Sequence, residues 1–145
     1  MNALRKLYKE LTSLHWEIGF LDNTFEGIVR GDKLKLTLVT HNFPNSWFAD
    51  PFILDVTDDT IIVLVEEVTK KISKGRISKL VIDRRNNYVI EKKVILERPG
   101  HLSFPIIYRK DDKIYVYPEN SEDGVLNIYE YNPCLLYTSD AADEL

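Results

Sequence analysis

The stretch Trp47-Phe-Ala-Asp-Pro-Phe-Ile-Leu-Asp-Val-Thr-Asp-Asp-Thr-Ile-Ile-Val-Leu-Val-Glu-Glu67 decides how this chain folds. It places Asp50 ahead of an apolar run, then two turn-forming aspartates, and then a second apolar run that ends on Glu66 and Glu67. Short apolar runs that are bounded by turn residues are typical of buried β-strands. The stretch therefore predicts a β-hairpin with one acid at its beginning and two at its end.

A variant of this pattern returns about fifty residues later. Pro51 and Pro105 are 54 residues apart, whereas Glu66 and Glu119 are 53 apart, because the first turn has one extra residue. A repeat of this length, with about four strands in each copy, is typical of the blades of a β-propeller. A β-sandwich with two hairpins that are alike by chance is the alternative.

Short strands and turns fill the rest of the chain up to Tyr131. Residues 15–20 and 33–39 alternate as half-buried strands do, and no helix is predicted after Ser13. Gly75 and Gly124 are each predicted to begin the third strand of a repeat. Turns are predicted at Asp58-Asp59, Lys74-Gly75, Arg85-Asn86-Asn87, Pro99-Gly100, Asp111-Asp112 and Glu122-Asp123-Gly124. The sequence thus predicts an all-β fold, a truncated five-bladed β-propeller with two to three blades present.

Three domain ranges follow from these patterns. Residues 1–14 have leucines and a tyrosine at helical spacing and predict a short amphipathic α-helix. Residues 15–133 are predicted to form the partial propeller. Residues 134–145 resemble the translation of a transposase adapter from sequencing-library preparation, and we predict that they are non-native. Since two or three blades leave apolar faces uncovered, we expect the natural gene to continue beyond residue 133.

Composition excludes several classes of protein. At 145 residues, with 44% hydrophobic and 29% charged residues, the chain has the size and composition of one globular domain. A net charge of -4 argues against nucleic acid as the main ligand. No apolar run approaches the roughly 20 residues of a membrane helix, and no signal peptide is present, so a cytoplasmic location is expected. Cys134, the single cysteine, cannot form an internal disulfide. No zinc-ligand spacing and no nucleotide-binding glycine motif occur, so no metal and no cofactor are predicted.

The acids of the two repeats are the candidate functional residues. A carboxylate beside a buried strand is paired, bound to a ligand or exposed in a cavity, unless Asp50 simply accepts backbone N–H bonds at a turn. Glu66, Glu67 and Glu119 each end a second strand. They either close a hairpin, through a backbone N–H or through Arg76, or face a polar pocket.

Five short motifs, taken in order, resemble the amino-terminal domain family of glucosamine inositolphosphorylceramide transferases and its bacterial relatives. The resemblance covers roughly residues 16–131. The motifs are Trp-Phe-Ala-Asp-Pro-Phe at 47–52, Val-Glu-Glu at 65–67, Lys-Gly-Arg-Ile at 74–77, Pro-Gly-His-Leu-Ser-Phe-Pro at 99–105 and Tyr-Pro-Glu-Asn at 117–120. That family is similar in turn to the five-bladed propellers of furanosidases such as arabinanases and invertases.

The resemblance to furanosidases implies an acid on the inner strand of each of three successive blades. Asp50 matches the first of these acids and is the candidate catalytic residue. Phe104 stands where the second is expected, and a phenyl ring cannot take or hold a proton. The third would lie beyond residue 133. The resemblance to the transferase family implies a further transferase domain in the full-length protein.

Three functions are therefore open. The first is a domain that binds a glycan or glycolipid and is linked to glycosyl transfer or polysaccharide synthesis. The second is a furanosidase-like glycoside hydrolase, which Phe104 disfavours, and the third is a scaffold for protein partners. Whichever holds, the fragment alone is expected to be inactive. Carboxylates and an imidazole can accept and donate hydrogen bonds to sugar hydroxyls. The aromatic rings of Trp47 and Phe48 either stack on a sugar ring or belong to the hydrophobic core. The predicted substrate-binding residues are Trp47, Asp50, Glu66, Glu67, His101, Ser103 and Glu119.

Overall fold

The computed structural model describes residues 16–72, 74–122 and 124–132, together with the backbone of Ser139–Asp140. Within this part of the chain the protein is all-β, as predicted, with one short helix. The predicted helix over residues 1–14 lies outside the described residues, as does most of the predicted non-native tail. The elements are β1 Gly19–Leu21, α1 Phe25–Arg30, β2 Leu36–Leu38, β3 Ser46–Val56, β4 Thr60–Thr69, β5 Arg76–Asp83, β6 Tyr88–Leu96, β7 Ser103–Lys110, β8 Lys113–Glu119, β9 Tyr129–Glu130 and β10 Ser139–Asp140.

The described strands form three antiparallel sheets, and none of these three closes on itself. Strands β1 and β2 pair with each other, β3 to β6 form one four-stranded sheet in chain order, and β7 to β10 form another. All six predicted turns fall between strands. The third strand of the first four-stranded sheet begins at Arg76, next to Gly75 as predicted. The prediction for Gly124 was wrong, because Val125 and Leu126 are exposed outside any strand and β9 begins only at Tyr129.

The sequence repeat is a repeat of strand register. From Ala49 to Ile53, a shift of 54 residues in β3 and of 53 in β4 converts the pairs of β3 with β4 into pairs of β7 with β8. Ala49↔Glu66, Phe52↔Leu64 and Ile53↔Val63 thus correspond to Ser103↔Glu119, Ile106↔Tyr117 and Ile107↔Val116. The two hairpins are therefore built alike over these residues, which confirms that part of the alignment made from sequence. The prediction that the extra residue is in the first turn was wrong, because it lies at a second register shift of β3, between Ile53 and Asp55.

A β-bulge interrupts both hairpins at the same place. The register shifts after Ala49 in β3 and after Ser103 in β7, where each strand carries one residue more than its partner. The first bulge residues, Asp50 with φ of 50° and Phe104 with φ of 51°, are both left-handed. For a residue other than glycine this conformation costs roughly 1–2 kcal/mol. Bulges re-aim side chains next to binding sites, and these two direct Asp50 and Phe104 toward one groove, described below.

The sheet of β3 to β6 has a hydrophobic core on each face. Since side chains of a strand alternate between faces, Val63 and Val65 of β4 point to one core and Leu64 to the other. The first core lies under β1 and β2 and contains Ile18, Val39, Phe48, Val63, Val65, Leu80, Ile82 and Val89. The second lies against β7 and β8 and contains Leu54, Leu64, Ile77, Leu102 and Val116. The same alternation sends Glu66 toward the second sheet and Glu67 toward the first core.

Helix α1 contradicts the prediction that no helix follows Ser13. The Thr24 hydroxyl caps its amino terminus by accepting the Gly27 N–H at 3.1 Å, and Gly31 ends it with φ of 83°. Six residues that include a glycine and two β-branched side chains give no helical period, so only these caps could have revealed it. Across the described residues, no helix has the length and apolar character to cross a membrane.

Candidate functional site

Glu66, near the end of β4, is part of a series of hydrogen bonds that links it to His101 and Gly75. Its side chain is 12% exposed, and its Oε1 lies 3.2 Å from Nε2 of His101. Nδ1 of the same imidazole accepts the backbone N–H of Gly75 at 2.9 Å. Since Nδ1 is an acceptor, the proton of the neutral ring is on Nε2, and His101 donates it to Glu66.

Asp50 joins this series from β3. Its carboxyl group is hydrogen-bonded to that of Glu66. Two carboxylates repel each other, so a bond between them requires that one holds a proton. Burial, followed by the hydrogen bond and the charge of Asp50, raises the pKa of Glu66 to about 7. Glu66 therefore keeps a proton to a higher pH than an ordinary glutamate does, and the two carboxyl groups can share it.

An open groove begins at Asp50. Its volume is about 430 Å³, within the range of small-molecule sites. Trp16 is 66% exposed and Phe104 is 47% exposed. The Phe52 ring meets the Phe104 ring edge to face, with 5.5 Å between centroids. The groove thus combines carboxylate oxygens with aromatic surface. It is lined by Trp16, Glu17, Ile18, Gly19, Ala49, Asp50, Pro51, Phe52 and Phe104.

Gly75 allows the close packing that holds His101 in place. A Cβ at this position would lie 2.3 Å from the carbonyl oxygen of Leu102 and 2.5 Å from Oε1 of Glu66. The Leu102 N–H also donates to the Gly75 carbonyl at 2.9 Å. The loop before β5 and the loop before β7 therefore meet backbone to backbone, with the Glu66 carboxyl between them.

Glu67 lies on the other face of β4, in a buried ionic cluster. The side chain is fully buried. Oε1 accepts from Ser46 Oγ at 2.7 Å and from the Lys92 ammonium, and Oε2 accepts from Ser78 Oγ at 2.6 Å and Arg76 Nε at 3.2 Å. Burial raises its pKa, but the bonds from Lys92, Ser78, Ser46 and Arg76 together outweigh burial and lower it to about 2. Glu67 thus bonds to Arg76, as one reading of the sequence had it.

The structure brings together three of the seven predicted substrate-binding residues, namely Asp50, Glu66 and His101. Ser103 and Glu119 pair with each other at the start of the second sheet, where Glu119 is exposed. Trp47 pairs with Val68 and is not part of the groove. Phe48, the second suggested stacking residue, is 2% exposed and belongs to the first core, so no ligand can reach its ring.

Sequence reasoning missed the aromatic residues of the groove and Gly75. The repeat singled out Phe104, but only as a lost acid, because a sequence does not show a left-handed backbone. Trp16 and Glu17 reach the groove from the segment before β1, far from the repeat in sequence. The sequence pattern around Gly75 and Arg76 predicted the start of a strand but not the close packing of two loops at Gly75. Among the described residues, no group of three or more His, Cys, Asp and Glu side chains is arranged to hold a metal ion.

We expect the free energy of unfolding to depend on pH through the proton that Glu66 binds. Because its pKa is about 7 when folded and about 4.5 when unfolded, the folded state retains a proton that the unfolded state loses. The contribution of this group to stability is thus greatest below pH 4.5, falls as the pH rises toward 7, and amounts to about 3 kcal/mol at most. Asp50→Asn should lower the pKa of Glu66, as measured by the ¹³C shift of its carboxyl carbon.

Asp55→Asn is the matched control for this titration. Asp55 is on the same strand and exposed, and its carboxylate accepts the N–H of Val56. It should leave the Glu66 midpoint unchanged. If Glu66 of the unmodified protein titrates near pH 4.5, the carboxyl pair does not share a proton in solution.

Two antiparallel sheets whose first hairpins share one bulged register, with Asp50 at a groove of mostly apolar and aromatic lining, define the class of this protein as an all-β domain with an open groove. The chain belongs to the family described as glucosamine inositolphosphorylceramide transferase 1, N-terminal, whose family model matches residues 35–136. The predicted family is therefore confirmed.

A curated relative also matches. The chain is 30% identical, over 86 residues, to glucosamine inositolphosphorylceramide transferase 1 of Arabidopsis thaliana. The match covers 59% of this chain and 11% of that protein, so the chain spans about a tenth of the length of its relative. No solved structure matches.

Proposed function

We propose that this chain is a sugar-binding domain linked to glycosyl transfer, and that its groove holds a glycan or glycolipid through Asp50. The observation that carries this proposal is the hydrogen-bonded pair of Asp50 and Glu66 at a groove with exposed aromatic rings. A fixed carboxylate accepts hydroxyl protons, and an aromatic face packs on the C–H face of a sugar ring. The name of the Arabidopsis relative associates the family with glucosamine, a ceramide lipid and transfer.

Hydrolysis by the furanosidase mechanism fits this geometry less well. Glycosidases hold their two carboxyl groups about 5 to 9 Å apart, so that a sugar, with or without a water, lies between them. The carboxyl groups of Asp50 and Glu66 are instead hydrogen-bonded to each other. Phe104 supplies no proton at the matching place in the second hairpin. Binding is thus favoured over bond cleavage.

A scaffold for protein partners is also less well supported. Such a role would be favoured if the surroundings of Asp50 were closed or apolar. The groove is instead open, and two acids, Glu17 and Asp50, interrupt its mostly apolar lining.

The fold of the full-length protein is a second part of the proposal. We propose that the two four-stranded sheets are blades of a five-bladed propeller, and that a transferase domain accompanies it. The bulged register that their first hairpins share and the core that contains both Leu64 and Val116 support this. A structure of a full-length relative tests the proposal, which fails if the sheets pack as a two-layered sandwich.

Asp50→Asn is expected to abolish sugar binding while leaving the melting temperature nearly unchanged. Asparagine tolerates the left-handed backbone at this position as aspartate does, but its amide presents one fewer acceptor and no charge. Binding is measured by NMR shift changes with a panel of methyl glycosides and short oligosaccharides, and stability by thermal unfolding. Asp55→Asn, exposed on the same strand, is the control. A large loss of stability with binding preserved would make Asp50 a structural turn residue.

A further inference from the structure

Phe104 has an unusual backbone for its side chain. Five residues other than glycine have a positive φ in the described part of the chain, and four of them are Asp50, Asn87, Asp111 and Asp112. Aspartate and asparagine are the types that tolerate this region, whereas bulky side chains rarely occupy it. Phe104 is the exception. It also precedes a proline, which restricts its backbone further.

The folding of the second hairpin does not account for a phenylalanine here. The bulge requires a left-handed residue, and glycine provides that conformation without strain. The Phe104 ring does not gain full burial in return, since the residue remains 47% exposed. Among the described residues its aromatic neighbour is Phe52, at 5.5 Å between centroids. Strain that stability does not explain is concentrated at functional positions in proteins.

The position of Phe104 connects this strain to the groove. In the repeat it is equivalent to Asp50, and both residues line the same groove, one from each sheet. We infer that Phe104 is a ligand-contacting residue, whose ring stacks on the C–H face of a sugar while Asp50 accepts a hydroxyl of that sugar. This inference rests on the proposed function and adds the aromatic half of the site.

The charges of the groove narrow the class of sugar. Two of the nine described lining residues, Glu17 and Asp50, are acids, and none of the nine is a lysine or an arginine. An anionic sugar, such as a uronic acid or a sugar phosphate, would meet like charge without a compensating cation. The ligand class is therefore a sugar ring without negative charge that has one continuous C–H face.

The test compares variants of Phe104 in the full chain. Phe104→Gly should weaken binding of neutral methyl glycosides by roughly tenfold, because stacking is lost. It should not lower the melting temperature, because glycine relieves the left-handed strain. Phe104→Tyr keeps an aromatic face and should bind as the unmodified protein does. Tyr108→Ala, which removes an exposed ring further along β7, is the control and should have no effect on binding.

Each result decides between the two proposals. If the unmodified protein binds a glycoside and Phe104→Gly binds it equally well, Phe104 is not a ligand contact and the proposed function stands. If Phe104→Gly lowers the melting temperature markedly, its ring is a packing residue, and this inference is overturned. If methyl glucuronide binds as tightly as neutral methyl glycosides, the assigned ligand class is wrong. If no glycoside binds to the unmodified protein, both proposals fail together.

Discussion

Glu67→Gln should lower the free energy of unfolding by about 3 to 5 kcal/mol, the range for a buried ion pair that loses one partner. Glutamine has the shape of glutamate, so no cavity is created, but the ammonium of Lys92 and the guanidinium of Arg76 lose their buried counter-charge. Both cations are only 17% exposed, and Glu67 is fully buried. Arg76 keeps its ion pair with Glu97 at 3.0 Å, which limits the loss. Urea unfolding monitored by tryptophan fluorescence measures the effect.

Glu91→Gln is the matched control, because it also removes the carboxylate from an ion pair with a lysine. Glu91 pairs with Lys79 at 2.9 Å but is 54% exposed, so its loss should cost less than about 1 kcal/mol. The stability that Glu67 provides also depends on pH. Because its folded pKa, about 2, is below the usual 4.5, this stability is present above pH 4.5 and disappears as the pH falls toward 2. Equal, small losses for both variants would show that the cluster is not structural.

Gly75→Ala should destabilise the fold by about 1 to 3 kcal/mol and impair the site at the same time. The added methyl group would lie 2.3 Å from the Leu102 carbonyl oxygen, and a backbone atom held in a hydrogen bond cannot move cheaply. It would also lie 2.5 Å from the Glu66 carboxyl, which must then turn away from His101. The expected signature is a lower unfolding midpoint together with a changed ring signal of His101 in NMR spectra.

Gly124→Ala provides the comparison for this steric effect. Gly124 has φ of 66° and no atom within 4 Å of an added Cβ, so alanine there carries only the backbone cost of about 1 kcal/mol. Its effect should not reach the His101 signal. If Gly75→Ala leaves both the midpoint and that signal unchanged, the two loops do not pack as closely as the structure shows.

The parts of the fold that depend on local pattern could be predicted from the sequence. The alternation of apolar residues gave the strands, turn residues gave their limits, and the repeat gave the correct correspondence of Ala49 with Ser103. Helix α1 was not found, because its signal is in Thr24 and Gly31 rather than in a period. The strand predicted to begin at Gly124 was wrong, because glycine ends many turns that no strand follows.

The candidate site could be predicted only in part, for a physical reason. Asp50, Glu66 and His101 were selected by residue type and position, and they do meet. Their mutual contact depends on loops that approach across Gly75, and nothing in a single sequence shows such an approach. The strain at Phe104 comes from its positive φ, and a phenylalanine in the sequence would not be expected to have a positive φ. The opposite faces of Glu66 and Glu67, in contrast, follow from strand alternation alone and were open to prediction.

Strand β4 carries two unrelated carboxylates on adjacent residues, and this arrangement limits how the gene can change. An insertion or deletion of one residue between Thr60 and Val65 would exchange the faces of everything that follows it. The carboxylate of the ionic cluster would then face Asp50 and His101, and the one that shares a proton with Asp50 would face Lys92. Changes of length should therefore be rejected within β4 and tolerated in β3 between Ile53 and Asp55, where the two hairpins already differ by one residue.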